Sequence, residues 1–164
     1  MTEDKQNNNL LEESNLQDIE QFLCFGITGK VFGFELLSVH EILKPVYITR
    51  MANVQDYVLG VINLRGEIIP IVDIKRRFGL EYVKLTQASR IIVVVSEKQE
   101  KKFGVLVDEV KHVIKVEKKH ISSTIDDMLS DNYSRLVTSV SRFDNNLILN
   151  LGVDDIMEFN QEET

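Results

Sequence analysis

The residues of this chain best placed to do chemistry are charged side chains on short turns, and Arg65 is the clearest of them. It precedes Gly66 between two apolar runs, residues 58–64 and 68–74, which are rich in Val and Ile. Such runs are typical of strands buried on both faces, so the pattern predicts a hairpin with Arg65 exposed at its glycine turn. Pro70 cannot donate a ladder hydrogen bond, which predicts an edge strand or a bulge with unpaired backbone near Arg65. This chemistry would be ionic docking of a partner; a turn charge that only aids solubility is the alternative.

No set of side chains in the sequence has the composition and spacing of a catalytic or metal site. A nucleophile and base pair would need Cys24 or a serine beside a histidine, and no motif contains any of the three histidines, His40, His112 and His120. The carboxylate pairs Asp126-Asp127 and Asp154-Asp155 lack the further ligands of a calcium loop. The sequence therefore predicts a protein that is not an enzyme and has no cofactor or metal. Cys24, the single cysteine, lies in an apolar run and is predicted to be a small buried hydrophobe.

The formal charge of −7 is concentrated at the two ends of the chain. Residues 1–20 hold six acids and one lysine, and residues 154–164 hold five acids and no base. Too few apolar residues occur in 1–20 to offset the entropy of ordering, so a disordered acidic tail or a weak helix is expected there. An acidic chain is a poor match to nucleic acid. With no secretory signal and no long apolar segment, the sequence predicts a soluble cytoplasmic protein without membrane insertion.

The remaining pattern predicts many short strands with few helical segments. A short helix is expected at 35–43, a single helical turn capped by Asp73 at 74–78 with Gly79 as its stop, and a terminal helix at about 153–159. Residues 121–133 are expected to form a loop. Besides the Arg65 hairpin, strands are predicted at residues 21–27, 31–34, 89–96, 103–116, 136–143 and 147–151. Short strands separated by turns indicate a small-barrel or sandwich fold.

Three segments of the sequence resemble one protein family. The run from Gly60 to Leu80, G-V-I-N-L-R-G-E-I-I-P-I-V-D-I-K-R-R-F-G-L, is similar to the signature of the CheW-like domain family of bacterial chemotaxis. That family includes the coupling proteins and a domain at the end of the histidine kinase CheA. Residues 32–42 resemble the family's aromatic-glycine strand followed by a V-x-E-I helix, and residues 103–110 resemble its G-x-x-V-D-x-V segment. The resemblance covers roughly residues 21 to 159.

The resemblance implies a mostly β fold of two intertwined five-stranded SH3-like barrels with a few short helices. It divides the chain into a tail at 1–20, a CheW-like domain at 21–159 and a tail at 160–164. The implied function is a non-catalytic adaptor that couples the cytoplasmic tip of chemoreceptors to the regulatory domain of CheA, in receptor arrays at the inner membrane. Family members bind partners at the positions of Val39, Glu41, Gly60 and Arg65. The alternative for Glu41 is a helix cap or a helix-surface charge. The alternative for Gly60 is a role in strand geometry alone.

The sequence departs from the family pattern at two places. Lys44-Pro45 stands where arginine-glycine is usual, and Thr138-Ser139-Val140-Ser141 replaces a glycine-rich approach to the last hairpin.

A different hypothesis is a β-barrel that binds nucleic acid or a small ligand through a basic strip of Arg65, Lys75, Arg76 and Arg77. That hypothesis lacks the interleaved exposed aromatic residues on which bases stack.

Overall fold

The fold consists of two β-sheets joined by short helical turns. The structure is a computed structural model that describes residues 18–123 and 131–157. The described strands are β1 (Ile19–Ile27), β2 (Lys30–Glu35), β3 (Val39–Leu43), β4 (Val58–Leu64), β5 (Glu67–Asp73), β6 (Arg90–Ser96), β7 (Lys101–Val107), β8 (Glu109–Glu117), β9 (Ile121–Ser122), β10 (Val137–Phe143) and β11 (Asn146–Leu151). The helices are α1 (Ile74–Arg77), α2 (Asp131–Ser134) and α3 (Val153–Ile156), with 3₁₀ turns at Leu36–Ser38 and Lys118–His120.

The chain leaves one sheet, builds the other and then returns. One sheet has the order β8-β1-β2-β11-β10-β9, and the second has the order β3-β6-β7-β5-β4. We call them barrel A and barrel B. Because β1 and β2 share barrel A with β8 to β11, all of barrel B is an insertion between two halves of barrel A. The predicted mostly β fold of two intertwined SH3-like barrels is confirmed, with the two-residue strand β9 as a sixth member of sheet A.

A single apolar core joins the two barrels. Phe25 and Phe34 of barrel A have ring centroids 4.6 Å apart, and Phe32 lies 5.3 Å from Phe78, which follows α1. Tyr133 of α2 completes the group at 4.9 Å from Phe78. These rings belong to one buried cluster with Ile92, Val94 and Val105 of barrel B. Since burial of each large apolar side chain is worth about 1.5–3 kcal/mol, this shared core holds the barrels in one unit.

The start and the end of helix α1 are fixed by capping residues, as the sequence predicts. The carboxylate of Asp73 accepts hydrogen bonds from the backbone N–H groups of Lys75 at 3.0 Å and Arg76 at 3.4 Å. At the other end Gly79 has φ +76°, and the N–H of Leu80 donates to the carbonyl of Lys75 at 2.9 Å. This is the Schellman arrangement that a left-handed glycine permits.

The helix predicted at residues 35–43 is wrong. A 3₁₀ turn at Leu36–Ser38 leads directly into strand β3, so Val39, His40 and Glu41 lie on a strand. Strand β3 pairs antiparallel with β6, with Val39 opposite Val94 and Leu43 opposite Ile91. Over five residues, helical and strand patterns are hard to tell apart, and pairing with a distant strand decides the outcome.

Two predictions for the strands around Arg65 are also corrected. Strand β5 lies between β7 and β4, so Pro70 is not on an edge strand, and the irregularity in the β4–β5 pairing lies at Val58 to Gly60, opposite Val72 and Ile71. The proline is tolerated because β5 pairs with β7 only from Ile71 to Asp73, which leaves Pro70 outside that ladder. Ile68 is 60% exposed, so the run that contains it is not buried on both faces along its whole length.

Other boundaries differ by a few residues. Strand β1 begins at Ile19, inside the predicted tail, whose residues 1–17 lie outside the described residues. The strand predicted at 103–116 is divided at Asp108 into β7 and β8. The predicted loop contains β9 and the start of α2, and its residues 124–130, with Asp126-Asp127, are outside the described part. The terminal helix is the single turn α3, with residues 158–164 beyond the described range.

Candidate partner-binding site

The Arg65 turn is built by local backbone chemistry. Arg65 and Gly66 both have positive φ, +50° and +85°, as the two central residues of a tight hairpin turn require. Asn63 stabilises the turn, because its Oδ1 accepts a hydrogen bond from the N–H of Gly66 at 2.8 Å. The turn directs the Arg65 side chain outward, and 68% of that side chain is exposed. The predicted exposure of Arg65 is therefore confirmed.

Arg65 forms an ion pair with Glu41, which lies 24 residues earlier in the chain. The guanidinium Nη2 of Arg65 donates to Oε1 of Glu41, and the same oxygen lies 3.7 Å from Nε2 of His40. Strand β3 is one edge of sheet B, and Arg65 follows β4, the opposite edge. Curvature of the sheet brings the two edges together, so the ion pair spans the closure of barrel B. Two residues assigned separately to partner binding thus form one surface feature.

Val39 and Gly60 have different surroundings from this pair. Val39 is half-buried and packs against the shared core, so only part of its side chain is available to a partner. Gly60 is buried, with φ +146°, and a Cβ atom on it would lie 2.1 Å from the carbonyl oxygen of Thr49. Thr49 exchanges two backbone hydrogen bonds of 2.9 Å with Val61, the next residue. Gly60 therefore permits close approach of the chain's own backbone.

A surface that the sequence reasoning missed lies beside β4. A cavity of about 470 Å³ is bordered by segments 45–59 and 82–85, and large apolar side chains are exposed around it: Val46, Met51, Tyr82 and Leu85. The sequence does contain a sign of this surface, because these segments hold apolar residues that follow neither strand nor helix periodicity. Tyr82 is held in place by Arg76, whose guanidinium carbon lies 4.8 Å from the ring centroid while Nη2 pairs with Asp56.

The proposed basic strip is not a free cationic surface. Arg76 is engaged by Asp56, and its hydrogen bond with that carboxylate raises the pKa of Arg76. Arg77 donates from Nε to the carbonyl of Ile156 at 2.8 Å and stacks 4.8 Å from the ring of Tyr57. With Arg65 on Glu41, three of the four basic residues are occupied. The arrangement does not favour nucleic acid, because phosphate binding needs unpaired cations.

The other chemically reactive groups are isolated. Cys24 is buried, and its burial raises the pKa of the thiol to about 11, so the thiolate form is disfavoured at neutral pH. His112 and His120 are exposed on β8 and the following 3₁₀ turn. Within residues 18–123 and 131–157, no group of three or more His, Cys, Asp or Glu side chains could hold a metal ion. No helix of this part of the chain is long and apolar enough to cross a membrane.

Comparison with known proteins gives one consistent result. A family model described as the CheW-like domain matches residues 21–161. The chain is 30% identical over 147 residues to the chemotaxis protein CheW of Helicobacter pylori, covering 90% of this chain and 86% of that protein. It is 33% identical over 112 residues to the CheW of Bacillus subtilis, covering 68% and 70% respectively. The crystal structure of the scaffolding protein TtCheW from Thermoanaerobacter tengcongensis matches with a TM-score of 0.77 at 29% identity, over 88% of this chain and 97% of that one.

Proposed function

The chain belongs to the CheW-like domain family, and from this premise we propose that it is a non-catalytic adaptor that couples chemoreceptors to the histidine kinase CheA in chemotaxis signalling. The family match over residues 21–161 is the observation that carries the proposal. The partners are the cytoplasmic tip of the receptors and the regulatory domain of the kinase. Receptor state would then control kinase activity through contacts with this protein. Its working place would be the receptor array at the inner membrane.

The Glu41–Arg65 pair is the proposed centre of one docking surface. The Arg65 side chain of this pair is 68% exposed and that of Glu41 is 23% exposed. An ion pair at a surface contributes about 0–1 kcal/mol to folding, because solvent screens the charges and two long side chains must be ordered. Such a pair can exchange its internal partner for an external one at little cost to the fold. Arg65 would meet an acidic group and Glu41 a basic group of the partner, which provides specificity through charge complementarity. The half-buried Val39 nearby on β3 supplies an apolar contact at the same edge.

Binding titrations test the adaptor function directly. The purified chain is titrated with the regulatory domain of a CheA kinase and, separately, with a receptor tip fragment, while circular dichroism verifies β structure. We expect binding to both partners, with neither displacing the other, since an adaptor must contact both at once. If a folded chain binds neither partner at micromolar concentration, the proposal fails.

A charge-swap series tests the role of the ion pair. Arg65→Glu should lower the free energy of unfolding by only about 1 kcal/mol, because it removes an ion pair of at most that value and the exposed new side chain can turn away from Glu41. Partner binding should be lost, since a repulsive interfacial charge pair can cost several kcal/mol. The double variant Glu41→Arg with Arg65→Glu restores the internal pair with reversed polarity. If these charges contact the partner directly, the double variant should still fail to bind.

The control for this series is Arg142→Glu. Arg142 is also an exposed arginine next to a hairpin turn, but it lies in barrel A, away from β3. We expect wild-type binding from this variant. Recovery of binding in the double variant would mean that the pair acts only by holding the two edges of barrel B together. Unimpaired binding by Arg65→Glu would return Arg65 to the role of a solvated turn charge.

A further inference from the structure

Barrel A has an open seam along strand β8. In its sheet β8 forms one edge, and β1 is the only described strand that pairs with it. After β8 the chain passes through the 3₁₀ turn at Lys118–His120 into β9, and only the two residues of β9 pair with β10 on the far side of the sheet. A cavity of about 680 Å³ lies between the C-terminal part of β8 and the hairpin of β10 and β11. We call the free side of β8 and this cavity the β8 seam.

Backbone hydrogen-bonding groups of β8 point into the seam. Lys118 donates its N–H to the carbonyl of Asp18 at 2.7 Å, and Ile19 lies opposite Glu117 in the antiparallel register. Hydrogen-bonded and non-hydrogen-bonded pairs alternate along an antiparallel ladder, so the N–H and C=O groups of every second residue of β8 face away from β1. Those residues are Lys115 and Glu117, and both line the cavity. No described strand pairs with these groups.

The regular part of this edge is five residues long and has apolar side chains beside it. The pairing of β1 with β8 shifts register between Val110 and Val113, which limits the regular edge to residues 113–117. Val113 is 45% exposed on β8, and Leu147 of the facing hairpin is 58% exposed. The seam therefore offers main-chain hydrogen bonds together with apolar contacts, which are the two requirements for adding a strand to a sheet edge.

The charge of the seam selects the kind of strand that it can accept. Residues 109–120 hold four lysines and two glutamates, although the whole chain has a net charge of −7. The two glutamates pair with two of these lysines at 3.1 and 3.0 Å, which leaves Lys115 and Lys118 without an ion pair among the described residues. The opposite wall, residues 142–147, holds one base and one acid and adds no net charge. A lysine on an edge repels a basic strand, including the same edge of a second copy, and attracts a strand that carries carboxylates.

We propose that the β8 seam is a docking site for an extended acidic segment of another protein, which adds to barrel A as a further strand. The backbone groups of Lys115 and Glu117 bind the main chain of that segment. The ammonium group of Lys115 meets a carboxylate, and Val113 contacts an apolar side chain that alternates with the acids. The seam lies on barrel A, whereas the Glu41–Arg65 pair lies on barrel B, so this proposal does not depend on the adaptor function.

Strand addition is tested by nuclear magnetic resonance with the isotopically labelled full chain at low ionic strength. The probe is an N-acetylated and C-amidated hexapeptide of alternating glutamate and valine. We expect saturable binding that slows hydrogen exchange of the N–H groups of Lys115 and Glu117 at least tenfold, because these groups become hydrogen-bonded to the added strand. The N–H groups of Ile114 and Val116 already face β1 and should not change.

Two control peptides separate strand addition from charge attraction. The same hexapeptide methylated on every backbone nitrogen keeps its carboxylates but cannot pair as a strand, and it should not protect the edge. The second control replaces each glutamate by lysine and should bind at least tenfold more weakly. Equal protection by the methylated peptide, equal binding of the lysine peptide, or the lack of any saturable effect would each overturn the proposal.

A charge-reversal variant connects the binding to the seam. Lys115→Glu should weaken binding of the acidic peptide at least tenfold, because it places a repulsive charge on the edge. The control is Lys98→Glu, since Lys98 is exposed on the turn between β6 and β7 and does not line the cavity, and it should bind as the wild type does. Circular dichroism verifies the fold of both variants. Unchanged affinity in Lys115→Glu would overturn the proposal.

Hydrogen exchange of the free protein distinguishes the other possible occupants of the seam. In the free chain we expect fast exchange of the N–H groups of Lys115 and Glu117. Slow exchange that becomes fast when the four acids of residues 1–17 are changed to amides would assign the edge to the chain's own N-terminal segment. Slow exchange that depends on protein concentration would assign it to a second copy. Either result would overturn the assignment to another protein.

Discussion

At the scale of single residues, the four positions proposed to bind partners, Val39, Glu41, Gly60 and Arg65, differ in burial and in what they contact. Arg65 is exposed and Glu41 is half-buried, and the two form an ion pair at the surface of barrel B, so either can change without loss of the fold. Gly60 is buried beneath the backbone of Thr49, so a side chain there disrupts the barrel itself. In a binding assay, loss of a partner contact and disruption of the barrel would give the same result. Stability measurements separate them, because only disruption of the barrel lowers the free energy of unfolding strongly.

Gly60→Ala should lower the free energy of unfolding by more than about 2 kcal/mol, as measured by urea denaturation. Its Cβ would collide with a backbone carbonyl that cannot move without breaking the Thr49–Val61 hydrogen bonds. The control is Gly66→Ala, which also has positive φ but open space around the new atom, and should cost only about 1 kcal/mol. Equal costs for the two variants would show that the contact at Gly60 relaxes.

Cys24 should resist thiol reagents while the protein is folded. Burial raises the pKa of the thiol to about 11, so the reactive thiolate is scarce at pH 8, and the sulfur has no access to solvent. The reaction of Cys24 with a thiol reagent, monitored by absorbance, should be slow in buffer and fast in denaturant. Rapid labelling of the folded chain would mean that the β1 region opens locally.

At the scale of elements, capping chemistry and strand pairing act over different distances. The turn α1 is defined by residues within seven positions of one another, Asp73 and Gly79, and its geometry matches the local expectation. Strand β3 depends on β6, which begins 47 residues after its own end. Asp73 also acts beyond α1, because its second carboxylate oxygen accepts a hydrogen bond from the N–H of Val83 at 2.8 Å and so fixes the following segment.

Asp73→Ala should destabilise the fold by about 2–4 kcal/mol. The change removes an N-cap, worth typically 1 kcal/mol, and leaves the N–H of buried Val83 without its acceptor, worth a further 1–3 kcal/mol. Thermal unfolding should shift by several degrees. The control is Asp56→Ala, which removes an exposed carboxylate on the same side of barrel B and should cost less than about 1 kcal/mol. Similar costs for both would show that Asp73 is not the anchor of this segment.

The pH dependence of stability should also change in Asp73→Asn. Burial is the largest influence on Asp73 and raises the pKa of its carboxyl above 3.8 in the folded state, so folding favours the protonated form. The stability contributed by this group is therefore fully present below pH 3.8 and is lost as the pH rises through the folded pKa. The free energy of unfolding of the wild type minus that of Asp73→Asn should fall over this window in urea titrations. A difference that rises with pH would mean that the backbone hydrogen bonds outweigh burial.

At the scale of the whole molecule, the insertion of barrel B into barrel A makes the two barrels interdependent. Their shared core contains aromatic rings from β1, β2, α2 and the residue after α1. Neither barrel keeps this core if the other is removed. A cavity of about 300 Å³ lies at their junction, because residues of both barrels line it, among them Phe22 of β1 and Val95 of β6.

Phe32→Ala should lower the stability of both barrels together, by about 3–5 kcal/mol, since Phe32 is fully buried and contacts Phe25, Phe78 and Tyr133. Urea unfolding followed by far-ultraviolet and near-ultraviolet circular dichroism should remain one coincident transition. Ile114→Val, in the separate small cluster of barrel A, is the mild control and should cost about 0.5–1.5 kcal/mol. Two separated transitions in Phe32→Ala would show that the barrels unfold independently.

The sequence by itself determined the features that depend on near neighbours. The Arg65 hairpin and the α1 turn follow from glycine and capping positions, and the final hairpin follows from the turn-forming residues Asp144-Asn145-Asn146. The Gly60 to Leu80 run was sufficient to indicate the family. The tertiary structure alone decided that residues 39–43 form a strand, that Glu41 meets Arg65, and that Gly60 lies against Thr49. These contacts need sheet B to curve until its edges meet, and barrel A needs strands from both ends of the chain. Such long-range pairings leave no local pattern in the sequence, because the partners lie tens of residues apart and the residues next to each of them are compatible with a paired or an unpaired strand.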